Sequence, residues 1–280
     1  MSVSSRLLSF GLSAAIPLAA GLIAAGALRA PQAAAAGVEL APHRAIYSMK
    51  LAGTRSGSAM ADARGAMYVE AAESCDGWTV TQRVQLRLVT AEGESSETES
   101  SYSSWESKDG RDYRFTVRRT HDGQPADELR GDASLGENAG PGEARFTTPA
   151  GTRFDLPKAS VFPTEHTLQL IETARAGGKH LSRVIFDGAS LDGPLEVNAV
   201  IGGMAKDPVA ANGAAELTAG SSWRIRMAFF PLSSQAATPD YEVGVRLFDN
   251  GVADGFLLDY GTYSVLASLE KLEALPKPRC

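Results

Sequence analysis

The chain has little of what chemistry on a protein scaffold usually requires. Four histidines, His43, His121, His166 and His180, occur in 280 residues, and no two stand at metal-ligand spacing. There is no Asp/Asn-rich calcium loop, and the nucleophile-elbow, phosphate-loop and dinucleotide fingerprints are missing. Two cysteines, Cys75 and Cys280, are present without a Cys-x-x-Cys pair, which argues against thiol–disulfide oxidoreductase chemistry. After Leu28 no apolar run approaches membrane-spanning length. The formal charge of −6 leaves no basic excess to hold nucleic acid. Neither a metal, nor an organic cofactor, nor a nucleic-acid partner is expected.

What is present begins with an export signal. Arg6 supplies a short positive region, the stretch Leu7 to Leu28 is apolar, and Ala34-Ala35-Ala36 before Gly37 offers small residues for cleavage. A run of about 22 residues is also long enough to span a bilayer, so a retained anchor is the alternative. No cysteine follows the run to take a lipid. Residues 1–36 are therefore expected to be a signal peptide, with residues 37–280 forming one domain outside the cytoplasm. Losing Arg6 and Arg29 with the signal takes the charge from −6 to −8. In an oxidising compartment an even, isolated cysteine pair most often forms one disulfide. A Cys75–Cys280 bond would close a loop of about 206 residues and contribute at most about 5 kcal/mol. Two unrelated buried thiols are the alternative.

Alternation dominates the rest. Trp78, Val80, Val84, Leu86 and Leu88 share one side with Gln82, against Thr79, Thr81, Arg83, Gln85 and Arg87. Tyr113, Phe115 and Val117 alternate with Arg114, Thr116 and Arg118; Trp223, Ile225, Met227 and Phe229 with Arg224, Arg226 and Ala228; and Tyr241, Val243, Val245 and Leu247 with Glu242, Gly244 and Arg246. A period of two with one apolar side indicates antiparallel sheet covered on one face. Asp76-Gly77, Asp109-Gly110, Asp122-Gly123, Asp187-Gly188 and Asn250-Gly251 punctuate the runs as turns. The acidic, Ser-rich stretch 92–107 fits a solvated strand, and the Gly/Ala/Ser-rich stretch 202–222 a surface loop.

One segment has helical spacing. Pro163-Thr164 opens it with Thr164 as N-cap, Glu165 sits in the first turn, Leu168, Ile171 and Ala174 form a stripe, and Gly177-Gly178 ends it. Glu165-His166 is the best acid/base candidate, since a histidine can act as a general base when a carboxylate orients it. A first-turn polar residue bonding the backbone is the plainer alternative. His43, beside Arg44 and Tyr47, is expected to cap or pack. The rows Arg83/Arg87, Arg114/Arg118 and Arg224/Arg226 would form an anion-binding belt if neighbouring strands brought them together. Otherwise they are a solvated face paired with residues 92–106.

Several motifs together carry a resemblance. They include Leu40-Ala41-Pro42-His43-Arg44-Ala45-Ile46-Tyr47, Cys75-Asp76-Gly77, Phe162-Pro163-Thr164-Glu165-His166-Thr167-Leu168, Phe248-Asp249-Asn250-Gly251-Val252 and Leu258-Asp259-Tyr260-Gly261. Over nearly the whole mature chain the sequence resembles EipB, an alphaproteobacterial periplasmic family of cell-envelope integrity proteins. The resemblance implies a mainly β fold, a large antiparallel curved β-spiral, barrel-like but open, with one central α-helix. It also implies a disulfide carried onto Cys75 and Cys280, a role in envelope integrity and stress resistance, and a periplasmic tetratricopeptide-repeat partner. The expected function is that of a monomeric, non-enzymatic binding or scaffold module. One alternative is a carrier that takes a lipid, lipoprotein, peptide or other amphipathic ligand on its concave face, lined by Trp78, Trp223 or Phe229. Another is a hydrolase using His166 and Glu165.

Overall fold

The long alternating runs become strands of one fifteen-stranded sheet. A computed structural model describes residues 37–209 and 211–280; the signal peptide expected over residues 1–36 lies outside them. Eight strands follow one another as antiparallel hairpins: β1 (His43–Thr54), β2 (Met60–Glu73), β3 (Gly77–Thr90), β4 (Ser95–Ser107), β5 (Asp112–His121), β6 (Gln124–Gly136), β7 (Gly140–Thr148) and β8 (Arg153–Leu156). Helix α1 (Pro163–Arg175) then precedes β9 (His180–Ile185), β10 (Leu195–Ala205), the two-residue β11 (Asn212–Gly213), β12 (Ser222–Pro231), β13 (Tyr241–Phe248), β14 (Ala253–Asp259) and β15 (Tyr263–Ala274).

The strand order is β8-β7-β6-β5-β4-β3-β2-β1-β15-β14-β13-β12-β10-β9, with β11 running parallel to β15 off this path. The first and last strands therefore pair, from His43 opposite Ala274 to Thr54 opposite Tyr263, and join two meanders into one sheet. Its edges, β8 and β9, stay unpaired with each other. A single parallel bridge between Val161 and Ile185 links the segment after β8 to β9.

Alternation sorts the side chains as the pattern predicts. Tyr113, Phe115 and Val117 on β5 are buried, while Arg114 and Arg118 are exposed. The few aromatics are concentrated inside: Tyr113 stacks on Phe162 at 4.8 Å, and Phe115 meets Phe146 edge-on at 4.9 Å. Asp122 and Gly123, at φ 48° and 74°, make the two-residue turn between β5 and β6. Residues 95–107 form β4, the solvated strand expected there.

Two connections hold more than the sequence suggests. Asp187-Gly188 separates β9 from β10 as expected, with Gly188 at φ 67°, but the connection dips into the concavity. Phe186 is buried there, and the Asp187 carbonyl lies 3.1 Å and 3.2 Å from the hydroxyls of Tyr102 and Tyr113. The stretch 202–222 is likewise only partly loop: β10 runs on to Ala205, β12 begins at Ser222, and Asn250 Nδ2 donates to the Leu217 carbonyl at 2.8 Å.

The helix ends where glycine ends it. Gly177 takes φ 78°, and the Gly178 N–H donates to the Thr173 carbonyl at 2.8 Å. Its start differs from expectation. Pro163 is the first helical residue, Phe162 occupies the cap position, and Thr164 lies inside the first turn. The buried stripe is His166, Leu170, Ile171 and Ala174, with Leu168 half-buried. This face packs on Leu181, Ala199, Ile201, Trp223, Ile225 and Val245, so the helix lies in the concavity against β9, β10, β12 and β13.

Candidate functional site

The helix begins beside β4, and the interior polar groups collect at this junction. Strand parity turns Tyr102, Ser104 and Glu106 inward and leaves Ser103 and Trp105 outside. Glu106 is 2% exposed. Its carboxylate accepts the Thr164 N–H at 2.7 Å and the Glu165 N–H at 2.8 Å, satisfying two orphan donors of the first turn. A strand 58 residues upstream therefore supplies the cap that Phe162 cannot. Burial pushes the Glu106 carboxyl up to about 7; the two backbone N–H groups and the Thr164 hydroxyl oppose the shift, and neighbouring Glu165 adds to it. Nothing local marks Glu106 as a cap. The available signal is parity, an acid on the covered side of an alternating run.

His166, one residue beyond Glu165, is 5% exposed, and its Nε2 is buried without a hydrogen-bond partner. Burial first, and Arg183 second, push its pKa down to about 4. Glu165 turns elsewhere: its Oε1 accepts from Gln169 Nε2 at 2.7 Å, and Gln169 Oε1 accepts from Arg183 Nε at 2.5 Å. The two neighbours are not assembled into an acid/base pair, since successive helical side chains diverge by about 100°. His43 packs as expected, with Nδ1 2.7 Å from the Ala41 carbonyl, and burial pushes its pKa down. Among the described residues, no cluster of three His, Cys, Asp or Glu side chains could hold a metal.

Between the helix start and the inner face of β1–β4 lies a cavity of about 210 Å³. Tyr47, Val69, Trp78 and Phe256 make its apolar wall, and Ser104 and Thr167 its polar end. Of the three aromatics expected to line a concave pocket, only Trp78 does so. Trp223 belongs to the core under the helix, and Phe229 stacks on Tyr241 at 4.4 Å.

The chain's two cysteines meet at the β2–β3 turn. Cys75 Sγ lies 2.08 Å from Cys280 Sγ, at disulfide bonding distance. The tail leading to Cys280 runs beside the segment before β1: the Leu275 N–H donates to the Pro42 carbonyl at 2.9 Å, and Lys277 pairs with Glu39 at 3.0 Å.

The arginine rows do not form one belt. Arg83/Arg87 on β3 and Arg114/Arg118 on β5 belong to one meander, and Arg224/Arg226 on β12 to the other. Their ion-pair partners also lie outside residues 92–106: Arg118 meets Glu128, Arg224 meets Asp207, and Arg226 meets Glu242 and Asp259. Arg87 stands opposite Glu97 in register without an ion pair.

Comparison with known proteins gives three concordant findings. A family model described as EipB-like matches residues 34–276. The cell envelope integrity protein EipB of Brucella abortus is 30% identical over 246 residues, covering 86% of each chain. A crystal structure of a beta-barrel-like protein of a domain of unknown function from Brucella abortus superposes with a TM-score of 0.78 at 28% identity, covering 86% of this chain and all of that one.

Proposed function

Because the chain belongs to the EipB-like family, we propose that it supports cell-envelope integrity as a non-enzymatic binding or scaffold module exported to the periplasm. The observation that favours a scaffold over a carrier is the small size of the cavity beside the helix start. Helix α1, the Phe115–Phe146–Phe186 cluster and the inward β9–β10 connection occupy much of the concavity, and the cavity beside the helix start holds about 210 Å³. Pockets for drug-sized ligands run from about 300 to 1,000 Å³. A longer acyl chain in this cavity would have to displace the helix, whose buried face packs against β9, β10, β12 and β13. The interior thus braces the sheet, and recognition falls to the outside.

The partner we favour is a periplasmic tetratricopeptide-repeat protein, bound by a monomer of this chain. Native mass spectrometry of detergent-free protein from the periplasm tests the choice between scaffold and carrier. The expected result is a monomer mass that does not fall on denaturation, together with saturable binding of the repeat protein in calorimetry. Stoichiometric lipid released on denaturation would replace this reading with the carrier.

A further inference from the structure

The outer face of β3–β7 carries a trough of about 850 Å³. Trp105 stands in it, between Thr79 of β3 and Arg114 of β5 in register. The indole rests on Gly77, where a Cβ would come within 2.6 Å of the ring. The Arg114 guanidinium lies over the ring, 5.0 Å from its centroid. Trp105 is half-buried, whereas Trp78 and Trp223 are buried, so it is the most exposed of the three tryptophans.

The polar side chains here are left unmatched. Several arginines elsewhere on the outer face are paired, as in Arg119 with Asp127, Arg145 with Glu143 and Arg226 with Glu242, although Arg83 and Arg87 of β3 are not. Arg114 and Asp132 face each other across β5 and β6, yet they form no ion pair, and Asp112 has none either. Arg130 reaches only Glu128, at 3.8 Å. The floor between them includes the hydroxyls of Ser103, Thr116 and Ser134, while Thr147 donates its hydroxyl to the Arg130 carbonyl at 3.2 Å.

We propose that this trough binds a neutral oligosaccharide, with a pyranose ring taking the place of the Arg114 guanidinium over Trp105 and with Arg114, Arg130, Asp112 and Asp132 as the hydrogen-bonding groups around it. Two arginines and two aspartates cancel, so the trough suits a ligand without net charge rather than an anion. An apolar protein surface would strip water from Asp132, Asp112 and Arg114 and give no partners back. A pyranose ring offers what the residues lack: hydroxyls that both donate and accept, and a C–H face that packs on an aromatic ring. The volume lies within the range of small-molecule sites. The inference stands apart from the scaffold reading, since a module can hold both a glycan and a protein.

The test is a titration of the full disulfide-bonded protein with chitohexaose, cellohexaose and maltohexaose, followed by tryptophan emission and calorimetry. At least one hexaose is expected to saturate with a change in emission. Asp132→Ala and Trp105→Ala should each weaken it about tenfold or more, whereas Arg224→Gln on β12 should leave it unchanged. If Trp105→Ala fails to fold, Asp132→Ala and Arg114→Gln, both at exposed positions, decide. No saturation by any hexaose up to about 10 mM overturns the proposal. So does binding that survives both exposed substitutions, and so does capture of a peptide in this trough without any saccharide.

Discussion

Glu106 and His166 sit at the same end of the helix and respond to pH in opposite senses. Glu106 is raised from 4.5 to about 7 in the folded protein, so between those values the native state binds more protons than the unfolded chain. Its contribution is present at low pH and fades as pH rises towards 7. His166 is lowered from 6.5 to about 4, so over that interval the unfolded chain binds more protons, and stability rises with pH. Each effect is at most about 3 kcal/mol. Glu106→Gln keeps one acceptor for the helix N–H groups but removes the titration. Urea unfolding at pH 4.5, 5.5 and 6.5 should show the variant gaining stability relative to wild type as pH rises, by up to about 3 kcal/mol. Parallel curves would mean that Glu106 does not titrate there. His166→Ala should leave ester, amide and glycan hydrolysis at the background of wild type, because no carboxylate orients the imidazole. A specific loss of activity would revive the hydrolase.

The β9–β10 connection adds to an interior built mainly from strands and the helix. Gly188 takes φ 67° and stands where a Cβ would lie 2.4 Å from the Phe115 ring, so both backbone and space demand glycine. Gly188→Ala should cost about 3 kcal/mol, adding backbone strain to overpacking. Gly57, at φ 86° with nothing within 4 Å, is the matched control, and its alanine variant should lose only about 1 kcal/mol. Thermal melts of the pair check this; equal losses would show that the β9–β10 connection is not seated against Phe115. Strand existence was largely legible, because a period of two with one apolar side needs no tertiary information. The helix cap was not legible, since it joins residues 106 and 164 and depends on which strand lies across the concavity.

At the scale of the whole molecule, the pairing of β1 with β15 and the Cys75–Cys280 link both tie the end of the chain to its beginning. A separation of 205 residues makes the cross-link worth at most about 5 kcal/mol through the unfolded state. Cys280→Ser should therefore lower the melting temperature and expose the tail after Ala274 to protease, while the strand pairing persists. Identical melting of oxidised wild type and variant would show that the link adds nothing. Most of the tail lies outside regular structure, held by the Leu275–Pro42 hydrogen bond and the Lys277–Glu39 ion pair. The ion pair is exposed, and it and one hydrogen bond alone are too weak to keep the tail in place.

Fold class, the interior helix and its glycine end, the inward and outward sides of the strands and the family were all readable from the residues. They follow from local periodicity, turn chemistry or matched motifs. Long-range packing alone turns Asp187-Gly188 inward, makes Glu106 the helix cap, leaves Glu165 and His166 pointing apart and keeps the arginine rows separate. Each depends on which strands become neighbours, and period-two alternation specifies a side chain's face but not the strand beside it.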